Sequence, residues 1–238
     1  MSLGSGQFSG QRAVKGHLVR GSGGVAGEIA DLRDDIKRDF LANAAIAVEE
    51  FVDAAAADPN GIKTSIASAA TAQSYSGAAL NGVVGAGVMS PPRNITITTT
   101  LHADIDAVDV LVTGLDVNGD EVTDTITLTD GGGATDVGTV AFAQVTQVDI
   151  PAQSGTGGAL EIGFGDVIGL GKPLVSRAGA PVVTLEIEDG TVLAADAVTG
   201  TFVDAATVGP NGTYEPATVP DGSVDYALHY EYDASQNK

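Results

Sequence analysis

The sequence predicts a mainly β protein, with a jelly-roll-like or β-sandwich body, and three observations lead to this fold class. The composition is rich in glycine, with 32 residues, and poor in aromatic residues, at 5%. Valine, threonine and isoleucine alternate with polar residues over much of the chain, as in half-buried strands. Turn-forming clusters separate these stretches at short intervals, which is typical of sandwiches and jelly rolls.

The predicted body covers residues 94–238. Its clearest element is a hairpin, in which "VDVLVTGLDV" and "EVTDTITLT" flank the turn signal "NGD" at residues 118–120. Further strands are predicted near residues 139–150, 160–164 and 182–188, separated by "DGGGA", "SGTGG" and "EDG". The last strand, "SVDYALHYEY", places Tyr226, Tyr230 and Tyr232 on one face, which predicts either a core edge or a contact between subunits.

Three segments precede the body. Residues 1–24 are rich in glycine and lack a dense apolar pattern, so we predict an extended, flexible basic arm. Residues 25–43 are predicted to form one amphipathic helix, because apolar residues recur every three or four positions. Residues 44–93 form a transition segment with possible strands, since Ile46, Val48 and Phe51 suit a strand as well as a continued helix. The "SPPRN" stretch at its end predicts a boundary or crossover.

The charge is strongly asymmetric. The formal net charge is −20, from 11 basic and 31 acidic residues. The first 27 residues contain Arg12, Lys15 and Arg20 and no acid, so the remaining residues carry −23 (8 basic minus 31 acidic). This balance excludes nucleic acid and anionic membranes as expected partners of the body. The absence of cysteine excludes disulfides and thiolate sites, and no apolar run is long enough to predict a membrane span.

The sequence predicts no enzyme activity, cofactor or metal site. His17, His102 and His229 lack the spacing of a metal set, and the G-x-S-x-G pattern of serine hydrolases is missing. Oxygen ligands at Asp116, Asn118, Asp120 and Asp124 leave a calcium site open as an alternative, although their spacing departs from the helix-loop-helix calcium motif and an exposed hairpin tip explains them adequately.

Four stretches carry a resemblance: "GHLVRGSGGVAGEIADLRDDI", "GAALNGVVGAGVMSPPRNITITTT", "VTGLDVNGDEVTDTITLT" and "NGTYEPATVPDGSVDYALHYEYD". Together they resemble virion proteins of tailed bacteriophages, particularly head decoration proteins. The resemblance implies a β-rich protein on the outer capsid surface, assembled in the host cytoplasm. Its implied partners are the major capsid protein and copies of itself, in a homotrimer.

The expected function is therefore that of a decoration, or cement, protein that stabilises the capsid shell. Candidate contacts are the basic residues Arg12, Lys15, Arg20 and Arg93 and the apolar anchors Phe8, Val14 and Leu18, with the three tyrosines as candidate subunit contacts. Two alternatives stay open. One is a structural protein of the phage tail or a head fibre, and the other is a calcium-dependent carbohydrate-binding or adhesion module.

Overall fold

The fold is described from a computed structural model for residues 44–177, 179–193, 200–209 and 211–234. The chain divides into two units, Met1–Ala45 and Ile46–Lys238. Nearly all described residues belong to the second unit. The predicted basic arm at residues 1–24 and the predicted helix at residues 25–43 lie outside the described residues.

Within the described part of the chain there are fifteen strands, a 3-10 helix at Gly77–Ala79 and the short α-helix α1 (Ala205–Val208). The strands are β1 (Ala44–Phe51), β2 (Asp58–Ala67), β3 (Gln73–Ser76), β4 (Val88–Thr99), β5 (Asp109–Leu115), β6 (Glu121–Thr127), β7 (Thr135–Ile150), β8 (Ala159–Gly169), β9 (Ser176–Arg177), β10 (Ala180–Pro181), β11 (Val183–Glu188), β12 (Thr191–Leu193), β13 (Thr201–Val203), β14 (Thr213–Glu215) and β15 (Tyr226–Asp233).

The strands form one large sheet and two smaller ones. The nine-stranded sheet has the order β13-β14-β8-β4-β7-β5-β6, with β2 also pairing β8 and β3 also pairing β7. A four-stranded sheet has the order β1-β15-β11-β12, and β9 and β10 form a small ribbon. The antiparallel sheets curl into a half-barrel with sandwich-like packing, which confirms the predicted fold class.

The predicted hairpin is confirmed as β5 and β6. These strands pair antiparallel from Asp109↔Thr127 to Leu115↔Glu121. The turn is longer than the two residues that the sequence predicts, because five residues connect the strands. Oδ1 of Asp116 accepts hydrogen bonds from the backbone N–H groups of Asn118 and Asp120, at 2.8 and 2.9 Å. This carboxylate organises the loop in the manner of an Asx turn.

Two apolar clusters fill the space beside the sheets. The first lies within the curl of the large sheet and takes alternate residues of its strands; its most buried members include Ile62, Ile95, Ile97, Val110, Val112, Phe142, Val145 and Ile162. The second lies against the four-stranded sheet and contains Ala47, Ala54, Ile168, Leu170, Leu174, Tyr214, Val224, Tyr226, Leu228 and Tyr230. The period-two alternation along the strands assigns each side chain to a cluster or to the opposite face.

The segment at residues 44–93 contains regular strands. The sequence predicts a boundary at its end, near residue 93, but a single strand crosses this position. Ile46, Val48 and Phe51 belong to β1, so the strand alternative is confirmed there. Strand β4 runs through Pro91 and Pro92 into the predicted body. The prolines fit because the register of β4 against β7 shifts between Val88 and Arg93, so the missing N–H groups fall outside the regular ladder.

Strand β8 passes close to β2, and glycine permits this approach. A Cβ at Gly163 would lie 1.9 Å from the carbonyl oxygen of Asp58. Replacing Gly163 with alanine is therefore expected to destabilise the fold by about 3 kcal/mol, because a backbone contact cannot be relieved by a rotamer change. The measurement is the midpoint of urea unfolding.

Gly119 offers the matched control for this substitution. It has a positive φ of 83°, but a Cβ there would meet no atom within 4 Å. Gly119→Ala should cost about 1 kcal/mol, from the left-handed backbone alone. Equal effects at the two positions would contradict the contact argument.

Candidate functional site

Most of the predicted contact residues lie outside the described residues. These are Phe8, Arg12, Val14, Lys15, Leu18 and Arg20. Their proposed roles stay predictions. The remaining candidates, Arg93 and the three tyrosines of the last strand, are all described.

Arg93 is buried inside the fold, with 2% of its surface exposed. Its Nε donates to the carbonyl oxygen of Gly165 at 2.8 Å, its Nη2 donates to the same oxygen, and its Nη1 donates to the carbonyl oxygen of Ala55 at 2.7 Å. An ion pair with Asp166 at 3.6 Å and the ring of Phe164, 5.5 Å from Cζ, complete the environment. We therefore assign Arg93 to the interior rather than to the predicted polar contact with a partner.

The position of Arg93 explains why the interior holds an arginine. Arg93 lies opposite Phe142 of the first cluster on β7 and opposite Ile168 of the second cluster on β8. The register of β4 against β8 shifts next to Arg93, between Arg93 and Ile95. Its guanidinium supplies donors to carbonyl groups at this irregular junction, where unpaired backbone groups would be costly.

Two further side chains form hydrogen bonds with backbone groups at places where the register of paired strands shifts. Asn94 donates to the carbonyl oxygen of Gly138 and accepts from the N–H of Val167, at 3.2 and 3.1 Å. Oδ2 of Asp124 accepts from the N–H groups of Thr139 and Val140, at 2.7 and 3.0 Å. These polar residues stabilise bulged strands, which gives them a structural role.

The three candidate tyrosines face the second cluster. Tyr226 and Tyr230 are almost fully buried, and Tyr232 is half-buried. Tyr230 donates its hydroxyl hydrogen to Glu49, and Tyr226 donates to the carbonyl oxygen of Thr218 at 2.5 Å. Of the two sequence-based interpretations, the core edge describes Tyr226 and Tyr230.

A second tyrosine–carboxylate pair lies in the same cluster. The hydroxyl of Tyr214 donates to Glu186, whose surface is fully buried. Burial, followed by the hydrogen bond with Glu186, raises the pKa of Tyr214 well above its ordinary value. Burial, followed by the charge of Glu49, does the same to the pKa of Tyr230. Both hydroxyls thus stay protonated donors that hold carboxylates inside the fold.

The four candidate calcium ligands do not form one site. Asp116 is buried, and its oxygens accept hydrogen bonds from its own loop. Asp124 lies within β6 opposite Val112 and binds the backbone of β7. Among the described residues, no group of three or more histidine or acidic side chains could hold a metal ion. The calcium-dependent alternative stays a prediction.

Polar residues also meet where three loops converge, at residues 100–108, 129–133 and 151–158. The backbone N–H of Asp104 donates to Nδ1 of His102 at 3.1 Å, and the N–H of Gly157 donates to Asp104 at 2.7 Å. The hydroxyl of Ser154 donates to Asp106. A serine nucleophile needs its hydroxyl directed at a histidine base, so these contacts describe loop closure and not a hydrolase triad.

A groove of about 250 Å³ lies beside α1. Its lining combines Asp204 and Asp233 with small and apolar residues, among them Pro173 and Ala206. Asp204 is engaged as the N-cap of α1 and accepts from the N–H of Thr207 at 2.9 Å. Pockets for small-molecule ligands usually enclose about 300–1,000 Å³, so this groove does not favour a cofactor.

The strongest candidate surface is the outer face of the four-stranded sheet, opposite the second cluster. Side chains alternate along β1, so Ile46 and Val48 point away from Ala47, which is buried in the cluster. Ladder partners share a face, which adds Ile187 with Ala227 and Leu185 with His229. We define the outer face as Ile46, Val48, Glu50, Leu185, Ile187, Val192, Ala227, His229, Glu231 and Asp233.

This outer face is apolar and open. Ile46, Val48 and Val192 expose 51%, 57% and 60% of their surface. An apolar surface contributed by all four strands of a sheet marks an interaction site more often than isolated exposed residues do. Sequence reasoning noted Ile46 and Val48 as strand residues but did not connect them with Leu185 and Ile187, because β1 joins β11 only through β15, about 180 residues further along the chain.

Comparisons with known proteins do not identify a family. No known protein family matches the chain, no curated protein matches it, and no solved structure matches its fold. None of the helices among the described residues is long and apolar enough to cross a membrane. Functional inference therefore depends on the chain's own charges, surfaces and contacts.

Proposed function

We propose that the chain is a non-enzymatic virion protein of a tailed bacteriophage, which decorates the outer surface of the head and stabilises the shell. The observation that carries this proposal is the charge contrast between residues 1–27, with three basic residues and no acid, and the remaining residues, at −23. A basic segment on an acidic body is suited to an extended protein partner with acidic patches, because complementary charge accelerates and orients encounter.

Three further features support a binding role over catalysis. The polar residues described above serve loops, bulges and buried pairs, and none of them forms a nucleophile–base arrangement. The acidic body is repelled by nucleic acid, which suits a position outside a DNA-filled shell. The sequence resemblance to decoration proteins points to the same location, with the major capsid protein as the partner.

Co-sedimentation with shells of the phage's major capsid protein tests this proposal. We expect the full chain to bind saturably at low salt and more weakly at moderate salt. Removing residues 1–24, or neutralising the segment by Arg12→Gln, Lys15→Gln and Arg20→Gln, should weaken binding at least tenfold, because the steering charges are lost. Bound protein is quantified against protein concentration at both salt concentrations.

Lys63→Gln and Arg177→Gln serve as control variants, since they remove positive charge from the body and should leave shell binding nearly unchanged. If the full chain does not bind shells but is present in purified particles, the protein belongs to the tail or a fibre. Unchanged binding by the triple variant would contradict the role of the basic segment.

A further inference from the structure

We infer that the outer face of the four-stranded sheet is a contact between two copies of this chain. The proposal concerns self-association and does not depend on binding to a phage particle. It follows from the exposed apolar residues of the face, from its charge relative to the rest of this acidic chain and from its construction from paired strands.

Exposed valine and isoleucine side chains give the face its affinity. Ile46 and Val48 lie on the edge strand β1 and Val192 on the opposite edge strand β12, each with at least half of its surface exposed. Half-buried Leu185, Ile187 and Ala227 connect the two edges across β11 and β15. Removing such side chains from water contributes about 25 cal/mol for each Å² of apolar surface.

The distribution of charge favours this face as the meeting point of two identical acidic chains. At a net charge of −20, two copies repel each other over most of their surfaces. The outer face contains three carboxylates, those of Glu50, Glu231 and Asp233, and Glu231 is ion-paired with Arg177. Two copies that meet here therefore bring few uncompensated charges together.

An apolar sheet face can also pack against an identical face. Sheets pack face to face at about 10 Å, so two such faces can interdigitate with no further chemistry. The four strands have 8, 8, 6 and 3 residues and cover roughly 400 Å² per copy, or about 800 Å² for the pair, which is the size of a weak, transient contact. The contact is two-fold and weak, so it produces dimers that depend on protein concentration; the trimer that the resemblance implies would require a different contact.

Salt dependence distinguishes this contact from any contact made by basic residues. Added salt screens the repulsion between two acidic copies, and excluded salts such as sulfate strengthen apolar burial. Self-association through the outer face should therefore tighten as salt rises. A contact between basic and acidic segments would weaken under the same conditions.

Sedimentation equilibrium of the full chain, over a range of concentrations and at low and high sodium sulfate, tests the inference. We expect a reversible monomer–dimer equilibrium that tightens with salt. Val48→Lys should weaken dimerisation at least tenfold, because it places an ammonium group within the apolar contact. Val83→Lys is the matched control, since Val83 is 82% exposed, lies outside the sheet and undergoes the same change of charge.

The control removes the contribution of net charge. Each lysine changes the net charge from −20 to −19, which by itself favours association, so only a local effect can make Val48→Lys weaken it. A monomer under all conditions, or a dimer unaffected by Val48→Lys, would overturn the inference. So would a dimer lost on deleting residues 1–24 and insensitive to Val48→Lys. Shell binding is measured separately, so each proposal can fail alone.

Discussion

Replacing Arg93 with methionine is expected to lower the free energy of unfolding by about 3 to 5 kcal/mol. The substitution removes charge-assisted hydrogen bonds to the carbonyl oxygens of Gly165 and Ala55, each worth about 1.5–3 kcal/mol. Methionine fills similar space but offers no donor, so the buried carbonyls are left unpaired. Asp166, which is partly exposed, can return to water and adds little to the loss.

For a unit of this size the loss corresponds to a decrease of roughly 10 °C in Tm, measured by thermal and urea unfolding. Arg93→Lys should recover little, because an ammonium group cannot reproduce the planar fork that reaches two carbonyls. Arg177→Met is the control: this arginine is partly exposed and pairs with Glu231, whose side chain is 18% exposed, so its loss should cost about 1 to 2 kcal/mol, less than that of Arg93. Equal losses at the two arginines would contradict the role assigned to Arg93.

The sequence predicted the strands whose alternation is strict. Val110, Val112 and Ile126 repeat with period two on both sides of an Asn-Gly turn, so their shared burial could be inferred from local pattern alone. The last strand was predicted for the same reason, with Tyr226 and Tyr230 on one face. In these elements local and tertiary preferences agree, which is why short-range reasoning was sufficient.

The prediction failed where tertiary contacts decide. Two prolines followed by an arginine and an asparagine indicated a boundary or crossover, whereas Arg93 and Asn94 are buried in the middle of β4. Their partners, Gly165 and Gly138, are 72 and 44 residues away, and nothing in a local pattern reveals a carbonyl that needs a donor. In the sequence alone, a buried polar residue that binds the backbone of a bulged strand cannot be told from a polar residue on the surface.

The candidate surface shows the same limit. The alternation in "AAIAVEEF" assigned Ile46 and Val48 to one side of a strand without saying which side faces the core. That choice depends on β15, which pairs with β1, and on β11, which pairs with β15; both lie far along the chain from β1. The chemistry of each strand could be predicted, but their assembly into an open apolar face could not.

Raising the pH from 9 to 11 is expected to destabilise the folded chain through its buried tyrosines. Burial raises the pKa of Tyr214 and of Tyr230 far above their ordinary value of about 10, and burial with the charge of Glu188 raises the pKa of Tyr226 to about 12. A raised pKa means that the fold favours the neutral hydroxyl. The stabilisation is therefore complete below pH 10 and decreases as the pH rises towards the folded-state values.

The size of the effect follows from ionisation of the unfolded chain. At pH 11 an unfolded tyrosine with a pKa near 10 gains about 1.4 kcal/mol by losing its proton, so Tyr214 and Tyr230 together lower the free energy of unfolding by about 3 kcal/mol. Urea unfolding at pH 9, 10 and 11 measures this slope. Tyr214→Phe with Tyr230→Phe should lower stability at every pH but reduce the loss between pH 9 and pH 11 by the same amount, about 3 kcal/mol.

Tyrosinate absorbance provides a second readout that does not require the variant to fold. In the native chain, Tyr214 and Tyr230 should remain protonated until unfolding exposes them, so part of the absorbance change should coincide with the loss of structure. If all five tyrosines ionised near pH 10 in the folded state, the hydroxyls would be accessible to solvent. The buried pairs with Glu49 and Glu186 could then not anchor the four-stranded sheet, whose outer face depends on that inner packing.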